Sequence, residues 1–299
     1  METSNGREYR SLIVDGMALL FRAYYATSVY GEIRKTSSGV PTNAIYGFVQ
    51  YLFDAVERFD PTHLICCWDM GSKTFRSELY EPYKANRSDP PEDLVPQFDL
   101  VKKVADALGI VNIGVPQYEA DDCIGTLSRR LSEWSDVVIL TGDHDLLQLL
   151  SERVSVAILK KGRGQYQVYT PDDLLREKGL TPRQIIDLKG FMGDASDNYP
   201  GVRGIGEKTA IRLLQEFSSI DRVVENLDRL PAGVRKKIEA DRDMLELSRT
   251  LATIKTDVPL ACEPDDFAWQ GPAETAVGLF EELELGRLLN RFTPRVRRR

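Results

Sequence analysis

Five short apolar runs, each closed off by polar residues, do most to limit how this chain can fold. They read SLIVD at 11–15, HLICCWD at 63–69, IVNIGV at 110–115, DVVIL at 136–140 and VSVAILK at 154–160. None is long enough for a helix. Near-continuous apolar runs of this length read as strands covered on both faces, as in a parallel sheet. Between them lie segments with the 3.6-residue period of core-packed helices. One begins at Thr42 and puts Ile45, Phe48, Val49, Leu52 and Val56 on one face; others cover 94–108 and the run through Ile124, Leu127 and Leu131. DHDLLQLL, from Asp143, starts a further helix. Residues 165–169, after a Lys-Gly-Arg-Gly turn, read as an edge strand. Alternating strands and helices predict an α/β fold with a mostly parallel central sheet. From Thr181 the pattern is helical to the end. The expected division is therefore an α/β part over 1–175 and a helical part over 176–299.

The strand ends carry the chemistry. Asp15, Asp69 and Asp143 each follow an apolar run, and Glu119, Asp121 and Asp122 stand just beyond another. In open α/β sheets the ligand lies outside the carboxyl ends of the strands, so these side chains converge on one crevice. Asp145 adds a seventh acid. Asp194 and Asp197, three residues apart, share one face of a helical turn. Behind them a loop punctuated by Gly201, Gly204 and Gly206 runs into Glu207, Lys208 and the periodic segment AIRLLQEF. A glycine-rich turn that opens a helix presents unpartnered N–H groups to an anion. Any one of these acids is explained as a helix cap or a dipole partner. Nine at one location are not, because their mutual repulsion demands counter-cations. Ligation by oxygen alone points to Mg²⁺ or Mn²⁺, and a pair of such ions suits phosphodiester hydrolysis.

Charge and cysteine content remove other classes. The net charge of −7 hides a segregation, with acids in short motifs and cations in loops: Lys73, Arg76, Lys84 and Arg87; Lys160, Lys161 and Arg163; Arg203, Lys208 and Arg212. The four cysteines, Cys66, Cys67, Cys123 and Cys262, lack the C-x-x-C spacing of a zinc site. Two histidines leave little room for histidine-based catalysis. The polar N-terminus lacks a signal-peptide pattern, and no run approaches a membrane span, so a cytoplasmic protein without a membrane partner is expected. The arginine-rich end reads as a solvated tail or a weak phosphate contact.

Several motifs resemble the 5′-nuclease domain of bacterial DNA polymerase I, in the flap endonuclease family. These are VDG at 14–16, WD at 68–69, YEADD at 118–122, TGDHD at 141–145 and GDASDNYPGVRGIGEKTA at 193–210. GVPTNAIYGF, TFRSELYEPYKANR and FEELELGRLLNRF extend the likeness over nearly the whole chain. The resemblance implies a stand-alone 5′–3′ exonuclease or 5′-flap endonuclease of replication and repair, with a PIN-like, resolvase-like fold. It implies a first metal cluster of Asp15, Asp69, Glu119, Asp121 and Asp122, and a second of Asp143, Asp145, Asp194 and Asp197. It makes residues 72–90 a helical arch over a 5′ single strand, with Lys84 and Arg87 at the scissile phosphate and Tyr83 near a splayed nucleotide. Arg22 is implied as a basic residue near the site, and Lys73 and Arg76 belong to the basic arch. Residues 201–208 become the loop of a helix–three-turn–helix motif that grips duplex phosphates and can hold K⁺. His144 stands where the family commonly has Lys, and Ala195 where Ser is common; both lie between ligands.

The implied partner is DNA with a duplex and a free 5′ strand, or an RNA–DNA primer junction, bound by a monomer. Two other readings compete. A PIN-like ribonuclease would carry fewer acids and no glycine loop. A non-catalytic junction-binding protein would be better served by fewer negative charges at its DNA surface.

Overall fold

The computed structural model describes residues 9–28, 33–162, 164–261 and 263–296. Arg163, Cys262 and the arginines after residue 296 lie outside them. At its centre is β1 (Arg10–Asp15), flanked by β2 (His63–Cys67) on one side and β4 (Asp136–Thr141) on the other. β3 (Val111–Ile113) completes one edge; β5 (Val154–Leu159) and β6 (Tyr166–Tyr169) complete the other. The order is β3-β2-β1-β4-β5-β6, with every pair parallel except β5–β6. The winding reverses between β1 and β4, and that switch point opens a crevice at the carboxyl ends of the strands.

Both faces of the sheet are covered, as the uninterrupted apolar runs require. Leu12 and Val14 face one core, built with α1 (Gly16–Ser28), α2 (Asn43–Phe59) and α4 (Gln97–Ala107). Ile13 faces the other, built with α5 (Ala120–Leu131) and the helices that follow β6. Thr42 does precede α2, but it forms no side-chain cap there. The buried Gln97 does that work from a distant helix. Its Oε1 accepts the N–H groups of Ala44 and Ile45 at 2.9 and 3.2 Å. No local pattern encodes such a cap. DHDLLQLL forms a short 3-10 helix, His144–Leu149, with Asp143 as its cap.

The helical part begins with α6 (Pro171–Lys178), so a division at 175 falls inside a helix. Next come α7 (Pro182–Met192), α8 (Glu207–Phe217), α9 (Ile220–Glu225), α10 (Ala232–Ala240) and α11 (Arg242–Ala252). These pack on the second face of the sheet. α12 (Ala276–Glu282) and α13 (Gly286–Val296) instead return to the first face, where Phe292 meets Phe53 edge-on with ring centres 5.2 Å apart. Fully burying Phe280 and Phe292 there contributes roughly 2–3 kcal/mol each. The last two helices thus belong structurally with the α/β part. Among the described residues no helix is long and apolar enough to cross a membrane.

Candidate active site

The crevice at the switch point is lined with carboxylates. Asp15 ends β1; its Oδ1 accepts the Ala18 N–H at 3.0 Å and its Oδ2 accepts the Thr141 hydroxyl at 2.8 Å. Thr141 lies on β4, so that bond spans the switch point itself. Asp69 follows β2 and accepts the Ala120 N–H at the start of α5, at 2.7 Å. Glu119 is the N-cap residue of α5, with Asp121 in its first turn. Asp143 accepts the Asp145 N–H at 2.8 Å.

These acids share one electric field. Burial pushes the Asp15 carboxyl up to about 6, with Asp69 and Asp143 adding to the rise. Asp121 is driven well above the usual carboxylate range by burial, then by Asp143 and Asp15. Asp145 is pushed up to about 7 by burial and Asp143, although Lys189 opposes this. Lys189, on α7, lies 2.6 Å from Asp145 Oδ1 and also contacts Asp194. Despite partial burial, Lys189 and Ser196 hold Asp194 below its ordinary value. The sequence offered no sign of Lys189, because a lysine on a helix reads as part of a solvated face.

The segment expected as an arch covers the crevice, but little of it is helical. α3 (Phe75–Leu79) is the one helix among residues 72–90, and turns follow it. Those turns lie on the loop after α7. The Lys84 N–H donates to the Asp197 carbonyl at 2.9 Å, Asn86 donates to the Ala195 carbonyl at 2.9 Å, and Asn198 donates to the Pro82 carbonyl at 2.6 Å. Lys84 Nζ lies 2.8 Å from Glu119, and Arg87 lies 2.7 Å from Asp197. Burial lowers the Lys84 ammonium, but Glu119 and Asp197 outweigh it and leave it raised. Tyr83 is largely buried, and it lines the cavity beside the crevice. Its hydroxyl is shared between Asp197 at 3.0 Å and Glu119 at 3.1 Å, and its ring lies parallel to that of Tyr199. Between this segment, α1 and α4 is a cavity of about 730 Å³, lined among others by Phe21, Phe98, Lys102, Asp69 and Glu119.

Two expected site residues have another task. Arg76 is 2% exposed, and all five of its N–H donors are used. Nη1 and Nη2 take Asp122 at 2.7 and 2.8 Å, and Nη1 also reaches Glu119 at 3.4 Å. Nε and Nη2 donate to the carbonyls of Leu251 and Thr253, both at 2.8 Å. No face of Arg76 is left for DNA. Asp122 is equally committed: beyond Arg76 it accepts the N–H groups of Glu119 at 3.1 Å and Lys255 at 2.8 Å. Its four lone-pair positions are filled, so it orients the start of α5 rather than facing the crevice. Arg22 donates to the Lys160 carbonyl, and Lys73 is an exposed residue paired with Glu78 at 3.5 Å. Among the described residues, no three acids stand close enough to hold a metal ion as they are.

The glycine loop lies beyond Asp197. Gly201 and Gly204 have φ of +61° and +79°, a region that favours glycine. Gly206 caps α8 without a side chain, and Lys208 is exposed in its first turn. Lys237 donates to the Gly204 carbonyl at 2.9 Å.

A crown of acids at the switch point, roofed by lysine and arginine, suits a phosphodiester-cleaving enzyme of the resolvase-like class. Two family profiles match consecutive parts of the chain: "5'-3' exonuclease, N-terminal resolvase-like domain" over residues 10–179, and "5'-3' exonuclease, C-terminal SAM fold" over 180–275. The chain belongs to the 5′–3′ exonuclease family, as its motifs led us to expect. It is 53% identical to a 5'-3' exonuclease of Bacillus subtilis over 92% of this chain and 93% of that one. It is 39% identical to DNA polymerase I of the same organism over 94% of this chain but only 32% of the polymerase. Among solved structures, the T5 D15 flap endonuclease matches with a TM-score of 0.68 and 21% identity, over 96% of this chain and 97% of that one. The catalytic core of Rad2 matches with a TM-score of 0.61 and 16% identity, over 96% and 92%. These two likenesses speak for the fold.

Proposed function

We propose that this chain hydrolyses phosphodiester bonds in DNA that joins a duplex to an unpaired 5′ strand, acting as a 5′–3′ exonuclease and a 5′-flap endonuclease. The carrying observation is the acid crown at the switch point with Lys84 and Arg87 directly over it. The donors are hard oxygens, and Asp15 is raised first by burial and then by Asp69 and Asp143, so a divalent cation such as Mg²⁺ or Mn²⁺ suits them. Asp15, Asp69, Glu119 and Asp121 would hold one, and Asp143, Asp145, Asp194 and Asp197 a second. Two such ions would ease ionisation of an attacking water and neutralise charge on the departing oxygen. The D15 structure is described as a complex with DNA and metal ions, which supports the same reading here.

The chain's own groups supply the rest. Lys84 and Arg87 bring positive charge to the scissile phosphate. Tyr83 orients Glu119 and Asp197 through its hydroxyl. The N–H groups at the start of α8, with Lys208, hold duplex phosphates, and a K⁺ at the loop carbonyls would have to displace Lys237 from the Gly204 carbonyl. A monomer suffices for all of these contacts, and an RNA–DNA primer junction presents the same backbone.

The test is a 5′-flap duplex with Mg²⁺. Cleavage near the junction is expected, and EDTA, Asp69→Asn or Asp143→Asn should abolish it. Wild-type rates in either variant would overturn the assignment of metal ligands.

A further inference from the structure

α11 is held at both ends, and the two ends sit at different functional places. At its start, Asp241 accepts the Arg203 backbone N–H at 2.9 Å and the Arg203 guanidinium at 2.7 and 3.0 Å. Arg203 belongs to the glycine loop. A little further along α11, the Ser248 hydroxyl accepts the Gly201 N–H at 3.2 Å, so the loop rests on this helix twice. At its other end, the carbonyls of Leu251 and Thr253 accept from Arg76. A cation is favoured there by the negative end of the helix dipole. Arg76 is in turn bidentate to Asp122, which accepts the N–H of Glu119. A continuous chain of hydrogen bonds therefore runs from the loop, along a helix about 16 Å long, to an acid of the crown.

We infer that α11 is a ruler, and that Arg76 is the positioning residue joining it to the acid crown, so that the pair sets how far from the seated duplex the cut falls. The inference rests on the functional reading above, in which the loop seats duplex and the crown cuts. Its physical basis is rigidity. Both partners in the joint are buried, with relative exposures of 2% for Arg76 and 0% for Asp122, and every donor of Arg76 is satisfied. A lysine keeps the charge but cannot reproduce the fork that meets Asp122 and two carbonyls together. The rotation left to a looser joint would let the crown shift against the duplex.

The experiment maps products at single-nucleotide resolution on an end-labelled 5′-flap duplex with Mg²⁺. It compares the wild-type chain with Arg76→Lys and with Asp241→Ala, which removes the larger of the loop's two holds on α11. The wild type should give one dominant product, and both variants should spread cleavage over neighbouring bonds. For Arg76→Lys, turnover should fall about 10- to 100-fold, the scale of a displacement of about 1 Å, while KM for the duplex moves less than about twofold. If Arg76→Lys is slow yet cuts only at the wild-type position, Arg76 is packing and the ruler is wrong. A salt-dependent loss of duplex affinity with an unchanged position would return Arg76 to the role of DNA contact. Circular dichroism reports whether Arg76→Lys folds; if it does not, a single narrow product from Asp241→Ala overturns the inference. Failure of the wild type to cut the flap would remove the functional reading itself, a different result from a narrow cut in the variants.

Discussion

Arg76 and Lys84 lie on the same short segment and end in opposite situations. Both read as basic residues of one DNA-binding stretch, because composition says nothing about which way a side chain turns. Arg76 turns inward and meets Asp122 and two carbonyls; Lys84 reaches over Glu119 and stays 22% exposed. Only Lys84 keeps access to a phosphate. Lys84→Ala should therefore lower turnover by about 10²-fold or more, the scale for losing a positioned charge in a site, while duplex affinity changes little. Single-turnover kinetics beside binding titrations check this, and equal losses in both would reduce Lys84 to a docking contact. The acids divide in the same way. YEADD reads as three equivalent ligands, yet Asp122 points back into the protein while Glu119 and Asp121 stay with the crown. The split comes from the partners: Arg76 draws Asp122 inward, while Glu119 stands outside the helix as its extended N-cap residue.

At the scale of elements, the glycine loop shows which glycines the backbone needs. A Cβ on Gly201 would lie 2.3 Å from the Gly193 nitrogen and 2.5 Å from the Phe191 carbonyl oxygen, at a φ of +61°. A Cβ on Gly206 would meet nothing within 4 Å. Gly201→Ala should cost at least about 2 kcal/mol, from left-handed strain plus a backbone clash. Gly206→Val should leave folding nearly intact and weaken duplex binding at low salt, since its position opens α8 toward a phosphate. Thermal melts and filter-binding titrations separate the two, and a stable Gly201→Ala would contradict this backbone assignment. The spacing of these glycines was legible in the sequence. Which one is needed for the fold and which for the ligand was not, because that depends on what lies beside each. The segment over the crevice shows the opposite failure. Its likeness to an arch led us to expect a helical cover, whereas the hydrogen bonds of Lys84, Asn86 and Asn198 hold it as turns against the loop after α7. No periodicity within the segment reveals a partner more than a hundred residues later.

For the whole molecule, the acid crown sets a pH dependence. Asp15 and Asp145 have folded values raised to about 6 and 7, above the ordinary carboxylate value they regain on unfolding. A raised acid stabilises the fold most when protonated, and that contribution is lost as pH rises through 6 to 7. In EDTA the melting temperature should therefore rise as pH is lowered from 8 to 6. His144, lowered first by burial and then by Lys178 and Lys160, works in the opposite sense in the acid part of that range. At pH 8, replacing EDTA with Mg²⁺ should raise the wild-type melting temperature by mass action. A melting temperature that is flat or falls over this range would show that burial and the neighbouring acids do not raise these carboxyls in the folded state. The fold behind this behaviour follows from the sequence to a large extent. Uninterrupted apolar runs can be buried only between two helical layers, and acids after such runs reach the carboxyl edge whatever the remaining detail. What the tertiary structure decided was each acid's partner, the return of α12 and α13 to the first face, and the joint at Arg76. Those outcomes rest on contacts between residues far apart in sequence, where burial and a complete set of hydrogen bonds determine the partner and local pattern does not.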